Sequence, residues 1–183
     1  MSTDRIILGI DPGTNILGYG LIYNKDKKIE LITMNVIKLN KLTDPYLKLK
    51  TIFEEILGII EHYKPDELAI EAPFFGKNVQ SMLKLGRAQG VAIAAALYKS
   101  LPVYEYSPRK IKQAITGKGG ASKEQVASML ARIVPINVIT EYYDATDALG
   151  VAVCHYFQKN TLTEKKEYSG WKSFVSNNPA RVK

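Results

Sequence analysis

The sequence predicts an α/β domain built on a mixed five-stranded sheet flanked by helices on both faces. Three observations carry that prediction. Residues 6–39 hold three apolar segments divided by turn-forming residues, which reads as three antiparallel strands. Beyond them, segments with apolar residues at helical spacing alternate with short apolar runs. Hydrophobic residues make up 46% of the 183-residue chain, enough for one domain with a sizeable core.

Each element has its own signal. Ile6 to Ile10 is an apolar run that stops at Asp11-Pro12-Gly13, a strand ending in a turn. Gly18 to Tyr23 is a second strand, Asn24 to Lys28 a hairpin loop, and Ile29 to Leu39 a third strand. Tyr46, Leu49, Phe53, Ile56, Leu57 and Ile60 recur at spacings of three and four, so a helix follows, with Pro45 at its start and Pro65 beyond its end. Leu68-Ala69-Ile70 is a short buried strand running into Glu71. Asn78 to Tyr98 is the longest helical stretch. Gly86, Gly90 and Ala94 leave one of its faces nearly bare, open to close approach by either the domain's own sheet or a second subunit. Val103 to Tyr106 is the fifth strand, and Arg109 to Ile115 a short helix. Ser122 and Gln125 have capping-box spacing for a helix through Ile133, and Asp144 to Phe157 is the last helix. From Lys159 to Lys183 periodicity fades, and six Lys/Arg stand against two Glu, a net charge of 6 − 2 = +4. The expected organisation is one globular domain over residues 1–158 and a flexible basic tail over 159–183, with Trp171 and Phe174 as its candidate anchors.

Composition narrows the function classes. No apolar run reaches the roughly 20 residues of a membrane helix, so no membrane partner is expected. Met1-Ser2-Thr3-Asp4-Arg5 lacks the layout of a secretory signal, and the lone Cys154 cannot form an internal disulfide, so the expected location is cytoplasmic. A net charge of +7 fits a polyanionic partner such as DNA or RNA, but many cytosolic proteins are equally basic.

The chemistry lies in the acids. Asp11 ends the first strand before a glycine turn, and Glu71 ends the fourth, where a carboxylate is costly to bury unless paired or coordinated to a metal. Asp144 and Asp147, three apart on one helix, point to one side. Each has an ordinary reading as well: a turn aspartate, a solvated strand end, a cap and a first-turn charge. The helix after Asp147 is apolar and alanine-rich, however, and two acids at the start of a buried helix need a counter-charge. Hard divalent cations take oxygen ligands, and two of them about 3.5–4 Å apart can cleave a phosphodiester. There is no His/Cys cluster for zinc.

These residues resemble the RuvC family of Holliday-junction resolvases in the RNase H-like superfamily. The matching stretches are Ile7 to Thr14, Gly18-Tyr19-Gly20, Ala69-Ile70-Glu71, Phe74, Lys77-Asn78, Leu83 to Ala92, and Asp144 to Leu149, in order over nearly the whole domain. Asp-Pro-Gly-Thr alone is unspecific, whereas Lys84-Leu85-Gly86-Arg87-Ala88-Gln89-Gly90-Val91-Ala92 is much more so. The resemblance implies an RNase H-like fold, a homodimer, and Mg²⁺- or Mn²⁺-dependent cutting of four-way DNA junctions by paired symmetric nicks that leave 5′-phosphate and 3′-hydroxyl ends. It implies two ions per active site, with Asp11, Glu71, Asp144 and Asp147 as the catalytic, metal-binding acids. It places a base-stacking aromatic at Phe74 and phosphate-contacting bases at Lys112 and Lys123, and it suggests the RuvA and RuvB branch-migration proteins as partners.

The residues themselves add to this. Phe74 and Phe75 follow Glu71 directly, and Pro73 leaves open which ring stacks, a contact worth about 1–3 kcal/mol per base. Lys77, Lys84, Arg87, Lys112, Lys118 and Lys123, with Arg109 and Lys110, supply a phosphate-binding surface. His62 and His155 have no partner pattern and read as structural. Three other classes compete. An actin-like ATPase shares the acid-glycine-threonine turn but needs a second domain that 183 residues cannot hold. A non-catalytic junction-binding module would not need all four acids. The RuvX-like branch is disfavoured by the stretch from Leu83.

Overall fold

Apolar residues alternate along the first strand, and that alternation sets the architecture. The structure, a computed structural model, describes residues 4–25, 28–73, 78–135 and 143–164. In β1 (Arg5–Asp11), Leu8 and Ile10 enter one hydrophobic cluster, while Ile7 enters another on the opposite face of the sheet. β2 (Ile16–Lys25) pairs antiparallel with β1, and β3 (Lys28–Lys38) antiparallel with β2. β4 (Glu67–Glu71) and β5 (Val103–Tyr106) add in parallel on the other side, giving the order β3-β2-β1-β4-β5. The expected mixed five-stranded sheet is therefore present.

Two helices cover the Leu8 face. α1 (Pro45–Tyr63) starts at Asp44, whose carboxylate accepts from the Tyr46 and Leu47 amides, and ends at Lys64 in the left-handed conformation just before Pro65. It buries Ile52, Ile56, Ile59 and Ile60. α2 (Val79–Tyr98) starts at Asn78 and packs Ala88, Ala92, Ala95 and Ala96 into the same cluster. The Ile7 face is covered by α5 (Tyr143–Glu164), over which α3 (Pro108–Thr116) and α4 (Lys123–Ile133) pack. Ser122 and Gln125 form the expected capping box of α4. α5 is sandwiched between the sheet and other helices, so Val151 to Tyr156 are all buried. The helix runs on to Glu164, past residue 158, and the Lys159 ammonium pairs with Glu67. The remainder of the tail, with Trp171 and Phe174, lies outside the described residues.

Glycine determines how closely α5 approaches the sheet. A Cβ at Gly9 would lie 2.3 Å from the Ala148 carbonyl oxygen, and one at Gly18 would lie 2.0 Å from that of Asp144. The helix answers with its own small residues, Ala145, Ala148 and Ala152, all fully buried. Backbone thus meets backbone, and the start of α5 is pressed against the ends of β1 and β2. Gly86 and Gly90 behave differently. Among the described residues nothing comes within 4 Å of a Cβ built at either, so of the two partners the sequence left open, the domain's own sheet is excluded.

A buried polar network closes the far end of the Ile7 face. His155 is fully buried; its Nδ1 meets the Tyr106 hydroxyl at 2.6 Å and its Nε2 meets Glu67 at 2.7 Å. Burial works against the charge on Glu67, yet hydrogen bonds from His155 and Lys159, with Arg5 nearby, hold its carboxyl down at about 2. The structural reading of His155 stands, now with its partners.

Candidate active site

The geometry follows from the sheet register. Ile10 lies beside Ile70 in the parallel β1–β4 pair, so Asp11 and Glu71 sit one residue further on, at neighbouring strand ends. In each strand the alternation turns the acid to the α5 face, the side of Ile7 and Ala69. The glycine-paved contact brings the first turns of α5 to the same rim. Asp11, Glu71 and Asp147 line one cavity of about 280 Å³ with Pro108, Ile111, Lys112, Lys123 and Val126. Asp144, one turn before Asp147, is not in the lining, but its charge acts on Asp11. It stands inside the first turn of α5, not before it.

Electrostatics give the site its character. Burial, then the charges of Glu71, Asp147 and Asp144, push the Asp11 carboxyl up to about 8, and Lys123 only partly offsets them. Burial and Asp147 push Glu71 up to about 7 against the pull of Lys123 and Lys112. Lys123 places its ammonium 2.8 Å from Asp147 Oδ2, and that contact raises the lysine's own affinity for its proton. The pocket therefore brings together more carboxyl groups than its lysines can hold ionised. Hard carboxylate oxygens with a shortage of positive charge fit a divalent cation. As the side chains stand, no three His, Cys, Asp or Glu among the described residues are arranged to hold a metal ion. Lys123 occupies Asp147, so coordination there requires that the ammonium give way or share the oxygen.

Neighbouring residues fix these positions, and sequence reasoning missed them. Gln89, only 6% exposed on α2, donates from Nε2 to the Glu71 carbonyl at 3.3 Å and to Glu105 Oε2 at 2.8 Å. It ties α2 to the strand end that carries Glu71. Lys48 of α1 donates to the Thr14 carbonyl and to Asn15 Oδ1, each at 2.9 Å, and so pins the turn that follows Asp11. Gln89 appeared in the sequence only as part of a motif, and nothing local marks Lys48.

The other expected site residues divide into three groups. Lys112 and Lys123 are in the acidic pocket. Lys84 and Arg87 line a separate cleft with Lys48, and Lys118 is exposed in the α3–α4 connection. Phe74, Phe75 and Lys77 lie outside the described residues.

A mixed sheet in this order, with acids at the ends of β1 and β4 and on the helix packed across them, defines the RNase H-like class. Within it, the family model "Crossover junction endodeoxyribonuclease RuvC" matches residues 7–155, and the chain belongs to that family. A RuvC of Cytophaga hutchinsonii is 62% identical over 180 residues, covering 98% of this chain and 89% of the relative. One of Christiangramia forsetii is 55% identical over 183 residues, covering 100% and 95%. Among solved structures, Thermus thermophilus RuvC in complex with Holliday junction substrate is 31% identical, with a TM-score of 0.80 over 87% of this chain and 97% of that one. Membership implies dependence on a divalent metal ion. No helix among the described residues is long and apolar enough to cross a membrane.

Proposed function

We propose that this chain is a divalent-metal-dependent endonuclease that resolves four-way DNA junctions in recombination and repair by paired symmetric nicks, leaving 5′-phosphate and 3′-hydroxyl ends. The observation that carries the reading is the convergence of Asp11, Glu71 and Asp147 with Lys112 and Lys123 in one pocket of a RuvC-family fold.

Asp11, Glu71, Asp144 and Asp147 are the residues that would hold the metal, Mg²⁺ with Mn²⁺ as substitute, two ions per site. When bound, such ions act as Lewis acids at the phosphate and activate water. The protein's own part is positional and electrostatic. The strand ends fix Asp11 and Glu71, and the glycine contact fixes Asp144 and Asp147. Lys112 and Lys123 offset phosphate charge at the pocket mouth, and Lys123 exchanges its Asp147 contact for a phosphate as DNA enters. Lys77, Lys84, Arg87 and Lys118 contact the sugar–phosphate backbone, and Phe74 or Phe75 stacks on a base at the junction centre. Residues 1–158, extended by α5 to Glu164, form the nuclease domain, and the rest of the segment 159–183 is a basic tail.

The working unit is a homodimer. Gly86, Gly90 and Ala94 share one face of α2 with Leu83 and Leu97, which are 55% and 59% exposed. Small residues rimmed by exposed apolar ones suit a second copy, and two-fold symmetry suits a substrate with two equivalent strands. The location is cytoplasmic, with RuvA and RuvB as partners. The test is a four-way junction of synthetic strands beside a linear duplex of the same sequence. Paired nicks in strands of like polarity, sealed by DNA ligase, are expected on the junction alone. Equal cutting of both substrates, or nicks that ligase cannot seal, contradicts the proposal.

A further inference from the structure

We infer that the cleft between the β1–β2 turn, α1 and α2 is a second phosphate-binding site, one that grips the backbone of the strand leading into the active site. The inference takes its ligand from the nuclease reading above. The cleft encloses about 390 Å³ and is lined by Thr14, Asn15, Tyr46, Lys48, Lys84 and Arg87, among others. Among the described residues, three cations face it and no acidic side chain does. None of the three is in an ion pair with any described residue. Three unpaired like charges around one cavity repel each other, and a polyanion relieves that repulsion.

The donors are specific. Lys48 already spends two of its three ammonium N–H groups on the Thr14 carbonyl and Asn15 Oδ1, which fixes its head in the cleft and leaves one donor for a ligand. Arg87 offers a planar fork suited to a phosphate. Tyr46, 75% exposed at the start of α1, gives an aromatic face beside the cations, the combination found where proteins hold single strands.

Position ties the cleft to the cut. Thr14 is three residues beyond Asp11, so chain geometry separates their Cα atoms by at most about 11 Å. A strand with its scissile phosphate at Asp11 would have its next few phosphates within reach of Lys48. Through Lys48, a phosphate held here also bears on the turn that carries Asp11. The cleft borders the small-residue face of α2. Lys84 is six residues from Gly90 and so about 120° from it around the helix, while Arg87, three residues from Gly90 and so about 60° from it, stands on the border between the two.

The test uses the full-length protein and a four-way junction in Ca²⁺, with binding followed by fluorescence anisotropy over a range of salt concentrations. Lys48→Gln and Arg87→Gln are each expected to flatten the plot of log Kd against log salt by about one phosphate contact, a slope change of roughly 0.9. Because Lys48→Gln also loosens a turn, a second measurement stands independent of it. Cys154 is fully buried, so Tyr46→Cys supplies the accessible thiol among the described residues. Junctions carrying a thiol tether on one backbone phosphate are expected to cross-link to Tyr46→Cys when the tether flanks the cut within a few nucleotides. They should not cross-link to Glu30→Cys, an exposed site on β3. Unchanged slopes, or cross-linking no better at Tyr46→Cys than at Glu30→Cys, overturns the inference while leaving the nuclease reading intact. Failure to bind the junction at all overturns both.

Discussion

Asp11→Asn should make the metal-free protein more stable, and increasingly so as pH rises. In the folded chain Asp11 keeps its proton up to about pH 8, because burial and three neighbouring acids oppose its charge. In the unfolded chain it ionises near its usual value of 3.8. Between those values the folded state binds more protons, so its stability falls as pH rises. The gap bounds the effect at roughly 6 kcal/mol. Glu71 and Asp147 share the penalty, and Lys123 with entering water relieves it, so about 1–3 kcal/mol is the expected gain from the neutral amide at pH 8. For a domain of this size that is roughly 3–10 °C in Tm. Thermal unfolding in EDTA from pH 4 to pH 9 reads it directly: the two proteins should coincide near pH 4 and diverge to a plateau above pH 8. A divalent cation at about 100 times its Kd should stabilise the natural protein by about 2.7 kcal/mol and Asp11→Asn much less, closing the gap. If Asp11→Asn is no more stable at pH 8 than the natural protein, the acids do not repel one another and the electrostatic account of the pocket fails.

Other perturbations reach the parts that hold the site. Gly18→Ala puts a methyl group where the Asp144 carbonyl stands 2.0 Å away, so it should destabilise the fold by about 2–3 kcal/mol and weaken metal binding by displacing Asp144; a Tm within 2 °C of the natural protein's, roughly the effect of under 1 kcal/mol, would show that α5 does not rest on that strip. Gln89→Met keeps the volume and deletes the hydrogen bonds to Glu71 and Glu105. Single-turnover cutting should drop about tenfold, or about 1.4 kcal/mol, with junction affinity unchanged; parallel losses in affinity and rate would assign Gln89 to DNA binding. Glu67→Gln removes a carboxylate held at about 2 by His155 and Lys159. That stability is complete above the unfolded value of 4.5 and lost as pH falls towards 2, so the variant's deficit should shrink in acid; a deficit independent of pH would mean that packing, not charge, is what Glu67 contributes.

Much of this was legible in the chain, for physical reasons that can be named. Period-two and period-3.6 patterns are imposed by burial, so the five strands and the helices could be read from Ile6 to Phe157. Asp11 and Glu71 stood out because each ends an apolar run. Relations across the sequence were hidden. His155 finds its partners 49 and 88 residues away, and no local pattern marks such a pairing. The small residues of α2 drew notice because they repeat every four positions, yet within the subunit they face open space among the described residues. The glycines that build the site, Gly9 and Gly18, sit in different strands, and their shared purpose appears only when α5 is laid across them. Lys84, Arg87 and Lys112 looked like one basic surface in the sequence. The fold separates them into two sites, one acidic pocket guarded by lysines and one cleft lined, among the described residues, by cations and no acid.

The central claim is that Asp11, Glu71, Asp144 and Asp147 form one metal site that cuts junctions and contributes little to holding them. It is tested most directly by changing each acid to its amide and measuring, on one four-way junction, cleavage in Mg²⁺ and affinity in Ca²⁺. The account predicts that all four variants lose cleavage by about a thousandfold or more, at least about 4 kcal/mol of barrier, while affinity stays within about threefold, because phosphate contacts elsewhere supply it. A variant that cuts at the natural rate, or four variants whose affinity collapses with their cutting, would contradict it.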